Sequence, residues 1–110
     1  MASMIFETLN ESNEQGELLL VDGGMCHFHL RRDGQLTIRE IIVQHGRQGQ
    51  GIGAAMLTRL ASLPGATNLF AKCPANLRAN DWYKRMGFVL EGQETTKNGR
   101  VLNLWRLQLN

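Results

Sequence analysis

Gln48-Gly49-Gln50-Gly51-Ile52-Gly53-Ala54-Ala55 is the stretch on which the reading of the fold turns. Before it stands Leu36–Val43, an apolar run rich in β-branched residues. After it Ile52, Met56, Leu57, Leu60 and Leu63 recur at the spacing of one helical face until Pro64-Gly65 stops the pattern. A strand that passes through glycines into a helix leaves the first N–H groups of that helix unpaired and open to a phosphate. Two familiar phosphate-binding patterns fit poorly. A Walker A loop counted from Gly46 reaches Gly51 but then needs Lys-Ser/Thr where Ile52-Gly53 stand. The dinucleotide fingerprint is met formally as Gly49-x-Gly51-x-x-Ala54. The acidic residue it needs about 20 positions on is missing, because Ala71-Lys72-Cys73 occupy that place.

Outward from the loop, the elements on its N-terminal side are strands. Leu18–Val21, Met25–Leu30 and Leu36–Val43 are separated by Asp22-Gly23-Gly24 and Asp33-Gly34, both hairpin signals, and read as an antiparallel meander. On the C-terminal side Asn68–Cys73 reads as a strand, Asn76 to Met86 as a helix capped by Gly87, and Phe88–Leu90 with Val101–Leu107 as a closing pair turned by Lys97-Asn98-Gly99. The expected order is β-β-β-α-β-α-β-β, a mixed α/β (α+β) fold with two main helices. Asn10–Gly16 reads as a polar loop.

The 110 residues suit a single domain spanning 1–110, and 43% hydrophobic with 20% charged residues is ordinary for a globular chain. No apolar run approaches the ~18 residues of a membrane span, and Met1 to Glu7 lack the pattern of a secretory leader. Cys26 and Cys73 are too few for a disulfide scaffold and read as reduced thiols, so a cytoplasmic location is expected. Residues 1–22 carry −5, the remainder carries +7, and nine of the twelve cations are Arg. Such a surface suits phosphate-bearing ligands. Nucleic acid is not expected, because the seven aromatic residues form no stacking cluster.

The loop Gln48-x-x-Gly51-x-Gly53 resembles the Q/R-x-x-G-x-G/A loop of the GNAT superfamily of N-acetyltransferases. A second motif, Asn76-x-x-Ala79-x-x-x-Tyr83-x-x-x-Gly87-Phe88, resembles that family's second cofactor motif, and the two stand in the family's order across residues 17–107. The resemblance implies acetyl-coenzyme A as cosubstrate, held by Ile42, Val43, Gln48, Gly49, Gln50, Gly51, Ile52, Gly53, Ala54, Asn76, Ala79 and Tyr83. It also implies direct attack of a primary amine on the thioester in a ternary complex. The backbone N–H of Val43 would meet the developing oxyanion, Asn76 would hydrogen-bond the cofactor, and Tyr83 would protonate the leaving thiolate. On a helix from Asn76, residues Asn76, Ala79 and Tyr83 share one face, and Trp82 turns toward the core. The alternative is a non-catalytic coenzyme A-binding or protein-interaction module on the same fold. Relatives usually place a strand and two helices before the meander, where this chain has 16 residues. The resemblance therefore implies an open acceptor site or one completed by a second subunit, and a homodimer is expected.

The catalytic base is sought on Leu36–Val43, whose sole acid is Glu40. Regular alternation would put Leu36, Ile38, Glu40 and Ile42 on one face, and a carboxylate among isoleucines has a raised pKa. A two-residue Asp33-Gly34 turn would set Arg32 opposite Gln35, His27 opposite Glu40 and His29 opposite Ile38. Glu40 and His27 then form a pair able to relay a proton. A metal site of Cys26, His27 and His29 is not expected, since Cys26 points to the other face. Lys72 either meets an acidic acceptor or is solvated.

Overall fold

The structure, a computed structural model, describes residues 17–110; the expectations for Met1–Gly16 lie outside them. The elements are β1 (Glu17–Val21), β2 (Gly24–Leu30), β3 (Gln35–Val43), α1 (Ile52–Ala61), β4 (Asn68–Pro74), α2 (Ala79–Arg85), β5 (Val89–Thr95) and β6 (Val101–Gln108). Among the described residues they form one six-stranded sheet ordered β1-β2-β3-β4-β6-β5. It is mostly antiparallel, with β3 and β4 the parallel pair. The element order and fold class are those expected.

The meander corrects two expectations that happen to cancel at one point. The turn after β2 is longer than two residues: Arg31 N–H donates to Gln35 O at 2.8 Å and Gly34 N–H to Arg31 O at 3.1 Å. Gly34 takes a φ of 96°, which a residue with a Cβ rarely adopts. Pairing therefore starts one residue out of the expected register, with His29 opposite Thr37 rather than Ile38. A bulge at Arg39 then takes up the extra residue, and His27 does face Glu40. The bulge also exchanges the faces of β3. Leu36 and Ile38 are buried in the core and Ile41 and Val43 pack against it, whereas Glu40 and Ile42 turn outward to the opposite face. The apolar setting expected for Glu40 is thus absent: its side chain is exposed.

The core lies between the sheet and both helices. Met56, Leu57 and Leu60 of α1 and Tyr83 of α2 bury against Cys26, Phe28, Leu36, Ile38, Leu69, Ala71 and Trp105. Each such large apolar side chain contributes roughly 1.5–3 kcal/mol on burial. The second helix begins at Ala79, three residues later than expected. Asn76 falls instead in a turn tightened by i→i+3 bonds, Leu77 N–H to Pro74 O at 3.1 Å and Asn80 N–H to Leu77 O at 3.3 Å. Its end is as expected. Gly87 N–H donates to Lys84 O and Phe88 N–H to Tyr83 O, both at 3.1 Å, the paired bonds of a Schellman cap. The Phe88 and Tyr83 rings meet edge to face at 5.2 Å beside it.

Candidate active site

The parallel pairing of β3 with β4 ends at Ile38–Ala71, yet β3 runs on to Val43 and β4 to Pro74. Beyond that point the two strands part, and a groove of about 900 Å³ opens beside the free end of β3. Ile41 and Val43 form its floor on the β3 side. The bulge puts them there. Gln44 N–H donates to Gly23 O at 2.7 Å, toward β2. Successive N–H groups of a strand point to alternate edges, so the Val43 N–H points the other way, into the gap.

One wall is the glycine loop and the start of α1: Gln48, Gly49, Gly51, Ile52, Gly53 and Ala54. Gly51 is the N-cap, with φ 81°, no side-chain cap and no acidic residue in the first turn. The first bond of the helix is Ala55 N–H to Gly51 O at 2.9 Å, so the N–H groups of Ile52, Gly53 and Ala54 have no partner within it. Three donors at the positive end of a helix dipole thus open onto the groove. The loop is pinned from behind. Arg47 donates to Gln50 Oε1 at 3.2 Å and pairs with Asp22 at 3.3 Å, which draws the Gln50 side chain away from the groove. Gln48 Nε2 lies 3.5 Å from Val43 O, tying loop to strand.

The other wall is α2, with Arg78, Ala79, Asp81, Trp82, Arg85 and Met86. Trp82 packs against the core as expected and also lines the groove against Gly53, where a Cβ would stand 2.8 Å from the indole Cζ2. Gly53 is therefore the point at which the two helices meet. Tyr83 is buried behind this wall, edge-on to Trp82 at 5.1 Å and stacked with Trp105 at 6.4 Å. Burial holds its hydroxyl well above the ordinary phenol pKa, with the Cys73 and Cys26 thiols acting in the same direction. The group is a hydrogen-bond donor throughout the neutral range. Asn76 is exposed and, like Ile42, Gln50 and the buried Tyr83, does not line the groove. Arg78, Asp81 and Arg85 were not expected to line it; only a helix register fixed in three dimensions reveals them.

On the opposite face, Glu40 and His27 stand side by side on β3 and β2, while His27 Nε2 and His29 Nδ1 are buried with no hydrogen-bond partner among the described residues. Lys72 is neither free nor solvated alone, because its Nζ bonds Glu94 Oε2 at 2.9 Å. No cluster of metal-binding side chains occurs among the described residues, and no helix there is long and apolar enough to cross a membrane.

Burial pushes the Cys26 thiol from 9.0 up to about 12. An acid whose pKa is raised by folding contributes stability that is full below its unfolded value and lost as pH climbs toward the folded one. Denaturant unfolding is therefore expected to show stability falling from pH 9.0 toward about 12, with a shallower fall in Cys26→Ala. Equal slopes in the two proteins would contradict this.

Residues 11–90 match the family model of the acetyltransferase (GNAT) domain. The chain belongs to the GNAT family of acetyltransferases. Among solved structures, this GNAT chain is similar to a protein from Desulfovibrio desulfuricans assigned to the same family, at a TM-score of 0.77 and 22% identity over 98% of this chain and 78% of that one. It is also similar to a Bacillus subtilis acetyltransferase in complex with CoA, at TM-score 0.71 and 19% identity over 94% and 84% of the two chains. A Bacillus anthracis protein described as a streptothricin acetyltransferase, in complex with acetyl-CoA, gives 0.74 and 19% over 93% and 69%. No curated protein matches the chain.

Proposed function

We propose that this GNAT domain binds acetyl-CoA in the groove and transfers the acetyl group to a primary amine by direct attack. The observation that carries the reading is the uncapped start of α1, with Ile52, Gly53 and Ala54 N–H groups, opening onto the same groove as Ile41 and Val43 at the end of β3 that has parted from β4. Those donors suit the diphosphate of the cosubstrate, and Arg78 and Arg85 add positive charge from the facing wall. The CoA and acetyl-CoA complexes of the two Bacillus proteins support the same ligand here. Calorimetric titration with acetyl-CoA tests it, and a folded protein that gives no binding would overturn it.

Acetyl-CoA supplies an activated acyl carbon whose oxygen gains negative charge as the amine attacks. The Val43 N–H, aimed into the gap, is the donor for that charge. Tyr83, protonated at neutral pH, is the hydrogen-bond donor for the departing thiolate; burial makes its hydroxyl a weaker acid, so it acts by hydrogen bond. The amine must lose a proton, and this step is assigned to Glu40 with His27, which stand opposite each other at the gap's far face. Glu40 is exposed, so water competes with it as acceptor and the effect is modest. Glu40→Gln and His27→Asn are each expected to lower turnover about fivefold, without adding in the double variant. Wild-type turnover in both would instead leave the amine to lose its proton to solvent.

A homodimer is proposed to cover the same face. Leu20, Met25 and Ile42 stand in one cross-strand row, with Leu20 40% and Ile42 46% exposed. Light scattering that shows a monomer at micromolar concentration would contradict it.

A further inference from the structure

Asn80, one position beyond Ala79 and outside both sequence motifs, uses its whole amide. Its Nδ2 donates to Pro74 O at 2.8 Å and to Leu77 O at 2.7 Å. Its Oδ1 accepts from Asn103 Nδ2 at 3.0 Å and from Trp105 Nε1 at 2.9 Å. The orientation is over-determined. An indole N–H can only donate and two backbone carbonyls can only accept, so the amide cannot be reversed. Asn103 is fixed in turn, since its Oδ1 accepts from Gln93 Nε2 at 2.9 Å.

These bonds join parts that determine the groove. Pro74 is the last residue of β4, the strand that parts from β3, and Leu77 is in the turn that leads into α2. Asn103 and Trp105 lie on β6, opposite Cys73 and Ala71 of β4. The Trp105 ring lies nearly parallel to Tyr83, at an interplanar angle of 18°. Trp105 is buried at 6% exposure, so an indole N–H deprived of Asn80 is satisfied only when the packing over it loosens and admits water.

We infer that Asn80 is a positioning residue that sets the Tyr83 ring, through Trp105, and holds the start of α2 to the parted end of β4. This deepens the proposed function, because it assigns a cause to the placement of the thiolate donor. Asn80 itself need touch no substrate. Aspartate at this position keeps both acceptor bonds but loses both donors; leucine, of similar volume, loses all four bonds.

The test compares Asn80→Leu and Asn80→Asp by two readouts. The first is hydrogen exchange of the Trp105 indole N–H followed by NMR, assigned by its loss in Trp105→Phe. The second is steady-state kinetics with acetyl-CoA as the varied substrate. Slow indole exchange is expected in the wild type and in Asn80→Asp, and fast exchange in Asn80→Leu. Turnover in Asn80→Leu should fall about tenfold with KM for acetyl-CoA within about threefold, since the α1 donors are untouched. Should Asn80→Leu fail to fold, Trp105→Phe carries the kinetic comparison, with the same fall expected. An indole that stays protected in Asn80→Leu, or turnover and KM both at wild-type values there while Tyr83→Phe is impaired, would overturn the inference. Fast exchange with full turnover in both Asn80→Leu and Tyr83→Phe would overturn the role of Tyr83 and leave the link from Asn80 to Trp105 supported.

Discussion

Gly53→Val is expected to weaken acetyl-CoA binding about a hundredfold, or about 2.7 kcal/mol, and to lower folding stability by about 1–3 kcal/mol. The reason is the contact between helices, not the freedom of the backbone. A Cβ at Gly53 would lie 2.8 Å from Trp82 Cζ2, closer than packed atoms stand. Trp82 has little room to yield, because its ring already meets Tyr83 edge-on at 5.1 Å. Relief comes by moving α1 from α2, and both helices wall the groove. Gly51 provides the contrast. Nothing lies within 4 Å of a Cβ there, but φ is 81°, so Gly51→Ala costs the left-handed strain of roughly 1–2 kcal/mol without a clash. Calorimetric titration of folded variants separates the two, and unaltered affinity in Gly53→Val would contradict this picture of the wall.

Tyr83→Phe is expected to lower turnover at least about tenfold while leaving acetyl-CoA affinity within about threefold. The ring packs among Trp82, Phe88 and Trp105, and phenylalanine keeps all three contacts. Only the hydroxyl is removed. Burial raises its pKa, so it stays protonated and acts on the thiolate as a hydrogen-bond donor and not as a strong acid. Equal turnover in wild type and variant, measured with a saturating amine, would mean that Tyr83 only packs.

Much of this was legible from local pattern. The glycine loop, the stripe of α1, the Gly87 cap and the hairpin after Asp22 follow from residue types with strong local preferences, and the structure has each where expected. The face of β3 was not. A strand's faces depend on register, and a turn of three residues in place of two around Gly34 and a bulge at Arg39 are set by pairing with β2 and β4, not by β3 alone. The expected alternation placed Glu40 among isoleucines and overlooked Ile41, which lines the groove. The start of α2 was missed for a similar reason. Asn76 to Arg78 have no helix-breaking residue, but the carbonyls of Pro74 and Leu77 are claimed by Asn80, a partner that sequence spacing does not disclose. Trp82 does pack against the core, as its helix face implied; its additional place in the groove wall depends on the glycine facing it at position 53.

The most direct measurement is the release of coenzyme A thiol from acetyl-CoA, followed with a thiol-trapping dye across a panel of primary amines: small polyamines, peptides with free N-termini, lysine-bearing peptides and amine-bearing nucleosides. At least one class is expected to raise thiol release well above the rate with acetyl-CoA alone, with the acetylated amine appearing in equal amount. Tight acetyl-CoA binding with no amine in any class raising that rate would contradict acetyl transfer to amines and favour a coenzyme A-binding module on the same fold.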